Sequence, residues 1–244
     1  MMENDTFYSN YNEAKQRLII RLIGLADTEY LRRVPFSRAF ADLAAVPCLF
    51  RENERGRAMG HPVSLLQMAQ WGMEPQRLLQ DAVENMWKIL PPRLFSMERL
   101  MESSLRGSEK DVIRRMLKKQ YTQTQEEVLD ELACVLTRKI GQKRREESGL
   151  KPMWVLGNER WLFGAASLLY PGILQEISRK LKSGFYILPS SVHEVILLPQ
   201  GGTETKERLQ ELVNSANQKM KDKSGFLSEH VYYYDRNNME IQTL

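Results

Sequence analysis

The sequence predicts an α+β protein, in which a mainly antiparallel sheet is covered by helices and a helical hairpin forms an appendage. Three observations support this prediction. β-rich runs broken by turn signals fill residues 153–199 and return near residue 232. Helical patterns with a single apolar stripe separate these runs, and a charged, proline-free tract spans 109–148. Strands and helices mixed in this way are typical of the α+β class.

The composition limits the class of protein. With 244 residues, 42% of them hydrophobic, the chain is long enough to bury a sizeable core. A net charge of +4 is only a mild basic bias. Cys48 and Cys134 are far apart and form no CxxC motif, which predicts two buried, free thiols that act as small hydrophobic side chains in a reducing cytosol. The first residues lack a signal-peptide pattern, and no apolar run approaches the ~20 residues of a membrane span. We therefore expect a cytoplasmic protein without membrane contact.

The first element predicted is a long helix over residues 11–33. Asn10 can cap it, and Glu13 completes a capping-box pattern. Its apolar positions cover more than one stripe, so the helix should pack on two sides before Pro35 ends it.

Two further elements are predicted before the charged tract. Residues 44–50 can form a strand, and Pro47 within it indicates an edge or a bulged strand. Pro75 opens an amphipathic helix that ends before Pro91.

The charged tract predicts a helical hairpin that turns near residues 122–124, because two 3.6-residue periods flank that point. We expect the hairpin, residues 108–150, to be an insertion. The segments 1–107 and 151–244 would then form one core.

The run 153–199 predicts the main sheet. Gly157-Asn158 favours a hairpin between residues 154–156 and 161–170. An amphipathic helix follows Pro171, with Gly184 as its left-handed cap. The turn Pro189-Ser190-Ser191 then joins two strands, 185–188 and 192–198.

The last part of the chain predicts a helix and a hairpin. Gly201-Gly202 indicates a connector, and Thr203 can cap a helix. Residues 231–234 and 239–242 flank an Asp-Arg-Asn-Asn turn and predict a terminal β-hairpin.

Several segments together resemble a known family. They are RLIGLADTEYLRRVPFSRAFADLAAV, GAASLLYPGILQEI, FYILPSSVHEVILLP and LSEHVYYYDR. They resemble the clostridial domain-of-unknown-function family 5688, over most of residues 17–105 and 152–240. The resemblance implies a cytoplasmic bacterial protein and no particular activity. It also implies that the family's usual amino-terminal region is missing, and Gly24 stands where the family has Asn.

The residues most suited to catalysis are Ser190, Ser191 and His193, with Glu194 beside them. A nucleophilic serine needs a base within reach and a third group that orients the base. In a strand His193 and Glu194 point to opposite faces, and neither a Gly-x-Ser-x-Gly nor a Ser-x-x-Lys motif is present. We expect these side chains to serve the turn, while a hydrolase remains an alternative.

Metal and phosphate sites are not predicted. No two histidines are spaced i, i+4, the cysteines are isolated, and Gly201-Gly202 lacks the remainder of a P-loop. We expect no cofactor.

Nucleic-acid binding is an alternative. Basic residues cluster in both halves of the hairpin, at Arg114, Arg115, Lys118, Lys119, Arg138, Lys139, Lys143, Arg144 and Arg145. The second helix, however, has an acidic start and a basic end, as the helix dipole favours. Tyr232 and Tyr234 share a strand face and could stack on bases or anchor a protein.

The function predicted from the sequence is therefore non-catalytic binding, through a protein partner or self-association. The hairpin is the expected contact element, because its charge blocks alternate in sign.

Overall fold

The computed structural model describes residues 10–97, 100, 109–120, 126–148, 152–202, 205–219 and 225–244. It contains helices together with two antiparallel sheets, which confirms the predicted α+β class. One hydrophobic core contains residues of both sheets, including Ile20 and Val46 from the first and Leu197 and Tyr232 from the second.

The first sheet has a central strand. Its strands are β1 (Leu18–Gly24), β2 (Ser37–Phe40), β3 (Leu43–Glu52) and β4 (Ala58–Pro62). β3 pairs with β1 along one side, whereas β2 and β4 divide its other side. The prediction of an edge or bulged strand was therefore wrong. Pro47 is tolerated because it lies between the stretch paired with β2 and the stretch paired with β4, where its carbonyl accepts a hydrogen bond from Val63 N–H at 3.0 Å.

The second sheet is antiparallel throughout. Its strands are β5 (Pro92–Ser96), β6 (Trp154–Asn158), β7 (Phe185–Pro189), β8 (Val195–Pro199), β9 (Tyr232–Asp235) and β10 (Glu240–Thr243). Their order is β10-β9-β7-β8-β6-β5. The predicted β7–β8 pair and the terminal β9–β10 hairpin are confirmed.

The long helix predicted over 11–33 is wrong. The segment forms a short helix α1 (Tyr11–Lys15), the strand β1 and a second short helix α2 (Thr28–Leu31). β1 is a short apolar run buried on both faces, apart from half-buried Arg21. Such a run has no strict period of two, and the apolar positions are equally compatible with a helix packed on two sides.

Two helices follow the first sheet, α3 (Leu65–Gln70) and α4 (Pro75–Ile89). α4 is the helix predicted after Pro75, and its buried face packs on β1 and β3. Tyr170 connects α4 to the second half of the chain, because its hydroxyl donates a hydrogen bond to the Leu90 carbonyl at 2.6 Å.

The segment after β6 is a loop and a 3₁₀ helix (Gly164–Leu169) instead of the predicted second strand. The Asn158 side chain is 1% exposed and organises the loop, donating to the Leu162 carbonyl and accepting from the Arg160 and Leu162 amides. Trp161 and Phe163 have φ of 51° and 50°, which a continuing strand does not allow.

Helices α5 (Glu109–Gln120) and α6 (Glu126–Ser148) precede β6 in the chain, and helix α7 (Ile173–Leu181) follows the 3₁₀ helix. Lys182, at φ 58°, is its left-handed cap, so the prediction for Gly184 was wrong. Gly184 has another role, because a Cβ there would lie 2.8 Å from the Tyr234 carbonyl oxygen. Helix α8 (Lys206–Lys219) is preceded by Thr205, whose hydroxyl accepts from Arg208 N–H, while Thr203 lies outside the described residues.

The charged tract forms helices α5 (Glu109–Gln120) and α6 (Glu126–Ser148), which pack on each other. The turn predicted at 122–124 lies outside the described residues. The role of this pair as an appendage to a single core stays a prediction.

Candidate functional site

The turn between β7 and β8 uses its polar side chains to hold its own conformation. The Ser190 hydroxyl donates to Glu194 Oε1 at 3.2 Å, and Ser191 Oγ accepts from the His193 backbone N–H at 3.0 Å. Each serine hydroxyl thus bonds to a group other than the imidazole. Ser191 makes the backbone contact predicted for the serines of this turn, whereas Ser190 bonds to a side chain. His193 and Glu194 lie in the turn, before β8 begins at Val195, and not in the strand predicted over 192–198.

The His193 ring is fixed from the other side. Its Nδ1 accepts a hydrogen bond from Phe163 N–H at 3.2 Å, and the two rings stack with centroids 6.0 Å apart. Burial lowers the pKa of His193, which keeps the ring neutral. Arg21 lies close by, with its guanidinium carbon 5.4 Å from the Phe163 ring and 5.5 Å from the Tyr30 ring. The contacts between Phe163 and His193 therefore hold the loop after β6 against the β7–β8 turn.

A second polar cluster joins distant parts of the chain. Asp42 accepts hydrogen bonds from the Tyr232 hydroxyl at 2.5 Å and the Ser228 hydroxyl at 2.8 Å, and it lies 3.1 Å from His230 Nδ1. Burial disfavours the Asp42 carboxylate, but these hydrogen bonds outweigh that effect and lower its pKa.

The Asp42 cluster contains a serine, a histidine and an aspartate, yet it is not a catalytic triad. A triad passes the serine proton to the histidine, whose other nitrogen bonds to the carboxylate. Here Ser228 Oγ and Asp42 Oδ2 both face the same ring nitrogen, His230 Nδ1, at 3.5 Å and 3.1 Å, and the Ser228 hydroxyl donates to Asp42. No local spacing indicated the cluster, because about 190 residues separate Asp42 from its partners.

A cleft of about 810 Å³ lies between the end of β1 and helix α8. Its lining combines polar residues such as Arg21, Asp27 and Glu229 with apolar ones such as Ile23 and Phe226. The walls of this cleft come from separate segments of the chain, so no local sequence pattern predicts it.

The predicted basic surface of the hairpin is partly neutralised by ion pairs between its two helices. Arg114 pairs with Asp130 at 2.7 Å and also with Glu126, and Lys118 pairs with Glu126. Two of the basic residues proposed to contact phosphates are therefore engaged within the hairpin. Arg115, Lys139 and Lys143 have exposed side chains, whereas those of Lys119, Arg138, Arg144 and Arg145 lie outside the description.

Helix α6 carries an exposed apolar face. Val128, Leu132 and Val135 are spaced i, i+4, i+7, and their exposed fractions are 43%, 42% and 46%. Leu136 and Cys134 beside them are exposed as well, so the prediction of burial holds for Cys48 and was wrong for Cys134. Ala133 is fully buried, so one side of α6 is covered while the apolar face stays at the surface.

Tyr232 and Tyr234 are core residues, and the prediction that they form a contact surface was wrong. Their exposed fractions are 0% and 1%. The Tyr232 ring meets Phe40 edge to face, and the Tyr234 ring stacks on Phe185 at 5.1 Å. The two tyrosines share one face of the strand, as predicted, and that face packs into the core.

The described residues show neither a metal-binding cluster nor a membrane-spanning helix. Among them, no cluster of three or more His, Cys, Asp or Glu side chains has an arrangement suited to a metal ion. No helix in the described ranges combines the length and the apolar character that crossing a bilayer requires.

The fold and these polar groups define an α+β protein with two antiparallel sheets, polar clusters that hold the structure together, and a two-helix surface element. The chain matches the family of unknown function DUF5688 over residues 2–236, and it belongs to that family. No curated protein and no solved structure matches it.

Proposed function

We propose that this protein is a non-catalytic module that acts through protein contact, and that helix α6 provides the contact surface. The observation that carries the proposal is the exposed apolar face of Val128, Leu132 and Val135. Leucine and valine at helical spacing, each over 40% exposed, form the type of stripe that an amphipathic helix buries against a partner.

The absence of catalysis in this proposal rests on the geometry of the two polar clusters. The Ser190 and Ser191 hydroxyls bond to Glu194 and to backbone, and His193 Nδ1 is occupied by Phe163 N–H. A hydrolase would instead need a hydroxyl that donates to one imidazole nitrogen while the other nitrogen is held by the orienting group. In the Asp42 cluster, Ser228 Oγ and Asp42 both face His230 Nδ1, so that division of roles is not met.

Nucleic-acid binding receives less support than protein contact. The Arg114 and Lys118 charges are already balanced by Glu126 and Asp130. An apolar face between charged rows is also better matched to a protein than to a phosphate backbone.

We place the module in the bacterial cytoplasm. Two features support this location: the family resemblance, and the two cysteines, which are free, Cys48 in the core and Cys134 at the surface.

The test is the native mass of the complex recovered from expressing cells, with half of each sample treated with nuclease. We expect a nuclease-resistant complex for the wild-type chain and its loss on Leu132→Lys, because a charge in the centre of the apolar face opposes burial. Leu66→Lys is the matched control, since Leu66 is an exposed leucine of α3. A nuclease-sensitive complex, or one that Leu132→Lys leaves intact, would overturn the proposal.

A further inference from the structure

We propose that the partner of the α6 surface is a second copy of this chain, with the two α6 helices antiparallel about a two-fold axis at Val135. This inference rests on the proposed function, since it names the partner of the same surface.

One row of side chains along α6 carries the argument. Glu127, Glu131, Val135, Lys139 and Lys143 follow each other at i+4 spacing, and every one of them is exposed. Residues four apart form a continuous ridge on a helix, and such ridges make the contacts between packed helices. The ridge changes sign once, at Val135.

A two-fold axis at Val135 makes this ridge complementary to itself. Glu131 faces Lys139 of the second copy, about 6 Å along the helix from the axis, and Glu127 faces Lys143, about 12 Å from it. Each pair occurs twice, as an isologous interface requires. A parallel arrangement would instead set like charges against each other, which opposes association.

The apolar residues of α6 fit the same register. Val135 meets its own copy at the axis, and Cys134 lies on the flank of the contact, level with Leu136 of the second copy. Val128 and Leu132 extend the apolar contact away from the axis, beside the acidic residues. The proposed contact therefore has an apolar centre flanked by charge pairs, which is the usual composition of a protein interface.

The complementary charges allow a direct test by light scattering on the purified protein. Glu127→Lys with Glu131→Lys makes the ridge entirely basic, and Lys139→Glu with Lys143→Glu makes it entirely acidic. We expect the wild-type chain to be a dimer, and each double variant to dimerise at least roughly tenfold more weakly, because like charges then face each other. An equimolar mixture of the two variants should restore a dimer.

Two controls accompany the charge variants. Glu211→Lys reverses an exposed charge on α8 and should leave the dimer unchanged. Cooperative thermal unfolding of each variant shows that it is folded. A short bismaleimide should also cross-link the wild-type dimer through Cys134, which lies next to the axis, and should fail with Cys134→Ser. Cys48 is fully buried and does not compete.

The outcomes separate this inference from the proposed function. A wild-type chain that is monomeric when purified, but that forms a Leu132-dependent complex in cells, would overturn the second copy and keep protein contact. A mixture of variants that stays monomeric, or a dimer that forms no cross-link at Cys134, would overturn the antiparallel register.

Discussion

At the scale of single residues, the hydroxyls of two neighbouring tyrosines are predicted to contribute very differently to stability. The Tyr232 hydroxyl donates to the Asp42 carboxylate in a half-buried cluster, whereas the Tyr233 hydroxyl donates to Gln200 Oε1 at 2.7 Å at the surface. Tyr232→Phe should lower the free energy of unfolding by about 2 kcal/mol, since a hydrogen bond to a charged group is lost. Tyr233→Phe should change it by less than about 0.5 kcal/mol. Urea denaturation at pH 7 measures both.

The effect of Tyr232→Phe should also depend on pH. The hydrogen bonds lower the pKa of Asp42 in the folded protein, so their stabilisation is present above the ordinary pKa of about 3.9 and is lost as the pH falls through the folded value. The difference between wild type and Tyr232→Phe should narrow in acid. An equal difference at pH 7 and pH 3 would contradict the role assigned to the carboxylate.

His193 is predicted to reduce stability in mild acid. Its pKa is lowered by burial in the folded protein, so the neutral ring stabilises the fold above the ordinary pKa of about 6.5. That contribution is lost as the pH falls from 6.5 through the lower folded value. His193→Asn keeps an acceptor for Phe163 N–H and cannot titrate there. Urea denaturation between pH 7.5 and pH 5 should therefore show a flatter pH dependence for the variant, and parallel curves would exclude His193 as the cause.

At the scale of elements, the sequence predicted the helices and strands whose own residues show both where the element starts or turns and which face is apolar. Helix α4 has a proline at its first turn and a single apolar stripe, and the β9–β10 hairpin has a polar turn between short β-rich runs. β1 has no such signal, because a strand buried on both faces shows no alternation. The loop between β6 and the 3₁₀ helix is held by the buried side chain of Asn158, and an Asn at that position indicates a turn whether a strand or a loop follows it.

Pro47 shows why the place of a strand in its sheet was not predictable. A proline lacks the N–H that a central strand donates, so it indicates an edge. In this sheet two short strands share one side of β3 and leave a position between them where no donor is required. That position is set by where β2 and β4 end along β3, which no local pattern at Pro47 shows.

At the scale of the whole molecule, the surface that we propose as a contact was predictable only in part. The alternating charge blocks favoured the hairpin as the contact element, but the exposed apolar face required knowledge of which side of α6 the rest of the molecule covers. Full burial of Ala133, next to exposed Leu132 and Cys134, shows that side directly. The Asp42 cluster and the cleft beside α8 were not predictable, because each depends on segments brought together by the fold.

Self-association through α6 predicts a distribution of hydrogen-exchange protection across the molecule. Exchange in a surface helix proceeds by local opening, and association slows this opening by mass action. Amides of residues 126–148 should therefore exchange more slowly as the concentration of wild-type protein rises, while those of β7 and β8 in the central part of the second sheet should not change. The variant Lys139→Glu with Lys143→Glu should show no concentration dependence in α6. The prediction fails if the exchange rate of the α6 amides is the same at every wild-type concentration. It also fails if protection rises equally in β7 and β8, because the contact would then not be specific to α6.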